Sequence, residues 1–123
     1  MNVNAVDFVV VPTENIDQAV EFYENVLGLE KSKQWGDQPA WEFEAGNLTL
    51  AVWEPTSFGQ TFQSHNSPIA LQVPDVEEAR KELEGKGIKF AIDTMDSGVC
   101  HMAFFQDPDG NALMLHKRYA PVA

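Results

Sequence analysis

The sequence predicts an α+β fold built from two copies of a βαβββ module within a single domain of 123 residues. The residues around Ala19 align with those around Ala79, and in both places an apolar segment precedes a helical pattern. Strand-like segments separated by turn residues follow each helical pattern. We therefore expect module one at about residues 3–55, a polar linker at 56–67 and module two at about 68–118.

Matching capping signals mark the start of both predicted helices. Asn15 and Asp75 are favoured N-cap residues, and Gln18 and Glu78 follow three positions later, as in a capping box. Apolar residues recur at helical spacing behind each cap, and a glycine ends each pattern. We expect one amphipathic helix in each module, covering the outer face of the sheet.

Each module also carries four strand-like segments. Alternating residues such as Trp41-Glu42-Phe43-Glu44 indicate strands, and Asp107-Pro108-Asp109-Gly110 indicates the turn between the last two. The predicted strands lie at about 5–11, 30–35, 40–45 and 47–53 in module one, and at about 69–73, 88–92, 100–106 and 111–117 in module two.

Composition excludes several functions. A formal charge of −11 and an isoelectric point of about 4.4 argue against a nucleic-acid partner, because phosphates require lysine and arginine. No apolar run is long enough to span a membrane, and the first residues do not resemble a signal peptide. The single cysteine, Cys100, fits a reducing compartment. We therefore expect a cytoplasmic protein with neither a nucleic-acid nor a membrane partner.

The repeat, the helix end AVEFYENVLGLE and the hairpin DPDGNALML together resemble the vicinal oxygen chelate superfamily. Glyoxalase I, extradiol dioxygenases, fosfomycin-resistance enzymes and bleomycin-resistance proteins are members. The resemblance covers nearly the whole chain. It implies a curled mixed sheet that forms a cleft, with helices on the outer face. It also implies a homodimer, since modules this short leave sheet edges and a cleft wall to be covered.

In metal-dependent members, the first and last strands of each module supply His or Glu ligands. The resemblance places these ligand positions at Phe8, Leu50, Pro68 and Met114. Phe, Leu and Pro have no donor atom, and a thioether is a poor ligand for a hard or borderline divalent ion. We therefore expect no bound metal and no other cofactor.

Metal-free members, such as bleomycin- and mitomycin-resistance proteins, hold a drug between aromatic and apolar side chains. The resemblance thus favours a non-enzymatic protein of the antibiotic-resistance type that binds a small aromatic molecule. The negative charge of the chain favours a cationic one. The candidate ligand-binding residues are Phe8, Val10, Trp35, Trp41, Phe43, Leu50, Val52, Trp53, Phe58, Met114 and His116.

Two alternatives remain open from the sequence. The chain could be an enzyme: either a metal-independent lyase or isomerase that uses His116 as its base, or a glyoxalase-like enzyme or dioxygenase with metal ligands elsewhere. It could also be an interaction domain without a small ligand. The adjacent Cys100 and His101 are not expected to act together, because neighbours on a strand point to opposite faces.

Overall fold

The computed structural model describes residues 1–121, which form two compact units. The first unit is Met1–His65, and the second begins at Asn66. Each unit contains one four-stranded sheet and one α-helix. The prediction of an α+β fold with two βαβββ modules is therefore confirmed. The strands form two separate open sheets, so the single curled sheet that the resemblance implied is replaced by two sheets with two edges each.

The first unit has strand order β1-β4-β3-β2, with β1 parallel to β4 and the other pairs antiparallel. A π-helical turn continues α1, and a short 3₁₀ helix follows β4. The elements are β1 Val9–Pro12, α1 Ile16–Glu21, the π-helical turn Phe22–Val26, β2 Glu30–Gln34, β3 Ala40–Glu44, β4 Thr49–Trp53 and the 3₁₀ helix Pro55–Phe58.

The second unit repeats this topology with strand order β5-β8-β7-β6. Its elements are β5 Ile69–Gln72, α2 Val76–Gly85, β6 Met95–Asp96, β7 Cys100–Gln106 and β8 Ala112–Arg118. The strand predicted at about 88–92 is displaced to β6. Arg80 of α2 accounts for the displacement, because its guanidinium donates to the Ile92 carbonyl oxygen at 3.0 Å and lies 4.6 Å from the Phe90 ring centroid.

The predicted caps are present in both helices. The Asn15 side chain accepts a hydrogen bond from the Gln18 backbone N–H at 3.1 Å, and Asp75 accepts one from Glu78 at 3.0 Å. Helix α1 has a further partner, since the Ile16 N–H donates to the Glu54 carboxylate at 2.9 Å. This bond ties the start of the helix to the residue that follows β4.

Strand pairing decides which face of the first sheet is buried. Leu50 is opposite Val9 on one neighbouring strand and opposite Phe43 on the other, so all three lie on one face. The Phe43 ring is 5.7 Å from the ring of Tyr23 in the helical segment, which identifies this face as the one covered by the helix. Val11, Phe43, Leu50 and Val52 on this face are all 0% exposed.

The second sheet buries the equivalent face. Leu113 and Leu115 of β8 pair with Phe105 and Ala103 of β7, and all four side chains are buried. Helix α2 packs on these two strands and contributes Val76 and Leu83 to the core. We call the opposite side of each sheet, which points away from the helix of its unit, the open face.

The Asp107 carboxylate organises the turn between β7 and β8. Its Oδ1 accepts hydrogen bonds from the backbone N–H groups of Asp109 and Asn111, both at 2.9 Å. Its Oδ2 accepts one from the Asn111 side-chain amide at 2.8 Å. Asp107 and Asn111 are both buried, so these bonds satisfy groups that water does not reach. Gly110 completes the turn with a φ of 84°, a conformation that favours glycine.

We expect Asp107→Ala to lower the free energy of unfolding by about 2–4 kcal/mol, because it leaves buried donors of the turn unpaired. Urea unfolding followed by far-UV circular dichroism measures the change. The matched control is Asp93→Ala, at an exposed position of the same unit, which should alter stability by less than about 0.5 kcal/mol. Equal stabilities of the two variants would contradict the structural role of Asp107.

Candidate ligand-binding site

Four aromatic rings meet on the open face of the first sheet, and we call them the aromatic cluster: Phe8, Trp35, Trp53 and Phe58. Ring centroids are 5.5 Å apart for Phe8 and Trp35, 5.1 Å for Trp35 and Trp53, and 5.1 Å for Trp53 and Phe58. Phe8 and Phe58 are 41% and 40% exposed, so a ligand in solvent can reach both rings. The cluster is a preformed apolar surface that is open to solvent.

Each ring of the cluster is held by a different local feature. Trp53 ends β4, opposite Pro12 of β1. Trp35 directly follows β2, and its backbone N–H donates to the Ala40 carbonyl at 3.0 Å. Phe58 ends the 3₁₀ helix, which the following Gly59 caps with a φ of 78°. Phe8 immediately precedes β1. Rings from four chain segments therefore come together on this face of the sheet.

Two carboxylates share the open face with the aromatic cluster. Glu42 and Glu44 alternate with the residues that face the helix, so they point to the other side of β3. The Glu42 carboxylate accepts a hydrogen bond from the Trp35 indole N–H at 2.7 Å, which fixes the orientation of that ring. Glu44 accepts bonds from the hydroxyls of Ser32 and Thr49, both at 2.6 Å.

These hydroxyl bonds favour the ionised form of Glu44. The Ser32 hydroxyl, followed by that of Thr49, holds the pKa of the Glu44 carboxyl below its ordinary value, because both donate to the charged form. The open face of the first sheet therefore combines exposed aromatic rings with negative charge. The sequence did not indicate either glutamate as a site residue, although their alternation with Trp41 and Phe43 was the available signal.

The structure separates the predicted ligand-binding residues of module one and of the linker into two groups. Phe8, Trp35, Trp53 and Phe58 come together, and Val10 shares their face because it is opposite Ala51. The expectation that the remaining four share this face is wrong, because strand register turns them toward the helix: Trp41, Phe43, Leu50 and Val52.

Trp41 is one of the predicted site residues that lie on the helix side of the sheet. The Lys31 ammonium lies 4.5 Å from the Trp41 ring centroid and 3.6 Å from the carboxylate of Glu24 in the π-helical turn. The Trp41 ring is therefore engaged on the helix side, on the face opposite to the aromatic cluster.

The length of one turn explains the wrong face predicted for Leu50 and Val52, which lie in β4 after that turn. Four residues, 45–48, separate the paired Glu44 and Thr49, whereas five, 107–111, separate the paired Gln106 and Ala112. An alignment that matches the two glycines of these turns consequently shifts β4 by one residue relative to β8. A shift of one residue moves every side chain of the strand to the other face. Ala51 pairs with Val10 of the first strand in unit one, and Met114 pairs with the equivalent Ala70 in unit two. Ala51, rather than Leu50, therefore occupies in β4 the place that Met114 has in β8.

With this correction, the four positions that the resemblance assigns to metal ligands are Phe8, Ala51, Pro68 and Met114. None offers a nitrogen or oxygen side-chain donor. Within residues 1–121, no group of three or more His, Cys, Asp or Glu residues is arranged to hold a metal ion. These positions therefore do not fit a divalent ion of the kind used by metal-dependent members.

The two predicted site residues of module two, Met114 and His116, lie on the open face of the second sheet. They are opposite Phe104 and Met102 of β7, and all four side chains are partly exposed. The His116 ring has no hydrogen-bond partner among residues 1–121.

His101 lies on the other face of β7, with partners that the sequence did not indicate. Its Nε2 is 3.3 Å from the Asp96 carboxylate, and its ring is 4.8 Å from that of Tyr119. The Gly98 backbone N–H and the Tyr119 hydroxyl lower the pKa of Asp96 by donating to its charged form. This group links the tip of the β6–β7 hairpin to the end of β8. Cys100 is buried and on the opposite face from His101, as expected.

We predict that the Glu44 carboxyl titrates below its ordinary value of 4.5 and that Ser32→Ala moves its pKa upward. Because the folded-state pKa is depressed, the stabilisation is present above the unfolded-state pKa and is lost as the pH falls through the folded-state pKa. Carboxyl ¹³C resonances measured against pH report the titration. Ser57→Ala, which removes an exposed hydroxyl away from Glu44, is the control and should leave the pKa unchanged. An identical Glu44 titration in both variants would refute the assignment.

Comparison with protein-family models places the chain within a known group. Residues 5–115 match the model of the Glyoxalase/Bleomycin resistance protein/Dioxygenase superfamily. The chain is also 29% identical over 120 residues to an uncharacterized protein of Mycolicibacterium smegmatis, with 94% of this chain and 96% of that protein covered.

Solved structures share the fold. A lactoylglutathione lyase from Agrobacterium tumefaciens superposes with a TM-score of 0.78 at 18% identity, covering 94% of each chain. A superfamily member from Sphaerobacter thermophilus gives a TM-score of 0.78 at 24% identity, covering 93% of this chain and 97% of the other. Identities this low establish the fold and leave the activity to be argued from the site. Within residues 1–121, no helix has the length and apolar character needed to cross a membrane.

Proposed function

Since the chain belongs to the Glyoxalase/Bleomycin resistance protein/Dioxygenase superfamily, we propose that it binds a small cationic aromatic molecule without a metal ion. The aromatic cluster beside Glu42 and Glu44 is the observation that carries this proposal. Sequestration of such a molecule in the cytoplasm would protect a cell from a drug of that chemistry.

The aromatic rings and the two carboxylates both contribute to the proposed specificity for a cationic aromatic ligand. Ring stacking contributes about 0.5–1.5 kcal/mol beyond the buried area. A cation over an indole adds up to about 2 kcal/mol when it is desolvated. Glu42 and Glu44 attract the positive end of a ligand whose flat part lies on the rings. The net charge of −11 acts in the same direction over longer distance and should accelerate association at low salt.

Binding is favoured over catalysis because the side chain proposed as a base lacks an orienting partner. A catalytic histidine is usually held by a second group that selects its tautomer, and the His116 ring has no such hydrogen bond within residues 1–121. The similarity to a lactoylglutathione lyase, at 18% identity, supports the fold and not that reaction.

Cationic aromatic compounds, such as bleomycin-like or intercalating drugs, should quench tryptophan fluorescence in a saturable way. Trp53→Ala should weaken binding about tenfold or more, because Trp53 contacts two other rings of the cluster. Phe58→Ala removes an exposed ring with less effect on packing and should also weaken binding. Titration at two salt concentrations, with affinity falling as salt rises, tests the electrostatic part.

The matched control for this titration is Trp41→Phe, which changes a tryptophan on the helix side of the same sheet and should leave the affinity unchanged. Loss of affinity in Trp41→Phe but not in the two cluster variants would transfer the site to the other face. Unchanged fluorescence with cationic, neutral and anionic aromatics alike would overturn the proposed function.

We expect the purified protein, prepared without an affinity tag, to hold no stoichiometric zinc, nickel, manganese or iron. The reason is the lack of nitrogen and oxygen donors at Phe8, Ala51, Pro68 and Met114. Elemental analysis after dialysis measures the metal content. About one equivalent per chain, held by histidine or carboxylate ligands, would show that the metal-free proposal is wrong.

We further propose that the protein is a homodimer with twofold symmetry. Each open sheet has two edge strands, β1 and β2 in the first and β5 and β6 in the second, and unpaired edges favour association with another chain. Sedimentation velocity should give the mass of two chains. A sedimentation coefficient that corresponds to one chain at every concentration tested would exclude the dimer.

A further inference from the structure

A row of metal-binding side chains crosses the open face of the second sheet. Met95 of β6 is directly opposite Met102 of β7, and Met102 is directly opposite His116 of β8. Directly opposite residues of antiparallel strands point to the same side, with Cβ atoms about 4.5–5.5 Å apart. Two thioethers and one imidazole are therefore neighbours on three adjacent strands.

These three side chains are available to an ion from solvent. Met95 is 45% exposed, and Met102 and His116 are both partly exposed. The imidazole makes no hydrogen bond within residues 1–121, so both of its nitrogens are free of protein partners there. Methionine has three rotatable bonds, which lets two sulfur atoms converge on a point above the sheet.

The donor set selects a particular class of metal. Thioether sulfur is a soft ligand that favours Cu(I), and imidazole also suits copper. Calcium and magnesium require oxygen ligands, and zinc sites use Cys, His, Asp or Glu. Two thioethers and a neutral imidazole carry no charge, so a monovalent ion introduces less uncompensated charge than a divalent one. The two thioethers therefore make this donor set better suited to a soft monovalent ion than to a hard divalent one.

We propose that the open face of the second sheet binds a soft monovalent metal ion, Cu(I) or Ag(I), through the Sδ atoms of Met95 and Met102 and one ring nitrogen of His116. Met114 is two residues before His116 on β8 and on the same face, which places a third thioether about 7–8 Å diagonally from the row. None of these residues belongs to the aromatic cluster, so this site is independent of the proposed ligand-binding site of the first unit.

The Cys100 thiol must be removed from the test, because thiolates also bind soft ions. Cys100 is two residues before Met102 on β7 and therefore on the same face, and it is buried. Cys100→Ala retains a small apolar side chain at this position. Every measurement is therefore made in the Cys100→Ala background, so that binding reports the thioether and imidazole groups.

The experiment titrates Ag(I), which resists redox change, into Cys100→Ala protein whose methionine methyl groups are labelled with ¹³C. We expect saturation at one equivalent, with the methyl resonances of Met95 and Met102 and the ring resonances of His116 shifting together. The Met1 methyl serves as an internal reference and should not shift. Zn(II) at the same concentration should leave the methionine resonances unchanged.

Variants assign the ligands. Met102→Leu and His116→Gln should each lower the Ag(I) affinity about tenfold or more, and Met95→Leu, at an exposed position, provides a test with little risk to folding. The matched control is His101→Gln, which removes an imidazole from the opposite face of the same strand and should bind as the parent does. The proposal is wrong if no methionine resonance shifts, if Met95→Leu and Met102→Leu bind as tightly as the parent, or if His101→Gln abolishes binding.

Discussion

Strand register is the constraint on which the rest of this structure depends. Because side chains alternate between the two faces of a strand, one residue more or less in a turn exchanges the buried and exposed sets of the strand that follows. The turns before β4 and β8 differ by one residue in this way. The burial of apolar side chains then decides which face of each strand the helix covers, since Leu50 and Leu113 are both buried.

The fold could be predicted from the sequence because its signals are local and occur twice. Asn15 and Asp75 cap the helices as their spacing indicated, and the repeat gave the order of elements. The failures have physical causes that are not local. The segment at about 88–92, predicted as a strand, instead meets α2, where the Arg80 guanidinium donates to the Ile92 carbonyl twelve residues further along the chain.

Only half of the candidate site could be predicted, because contacts between separate segments bring its residues together. The aromatic cluster joins a residue before a strand, one after a strand, one at a strand end and one in a 3₁₀ helix, and sequence spacing does not reveal that these converge. The face of Leu50 depended on the turn length, which the similar Gly-Asn pairs of the two turns concealed, and the face of Trp41 depended on which side of the sheet the helix covers. Glu42 and Glu44 became site residues only once the helix-covered face was known.

The two open faces show how one architecture can acquire different chemistry in its two halves. The modules share their topology, yet Thr49, Ala51 and Trp53 occupy β4 where Ala112, Met114 and His116 occupy β8. The proposed ligand of the first face is a flat cation, which suits rings and carboxylates, and that of the second is a soft ion, which suits sulfur and imidazole. Because these side chains point away from the cores, they can change without disturbing the packing of Leu50 or Leu113. Duplication thus preserves the buried pattern that both halves need to fold and leaves the open faces free to diverge in function.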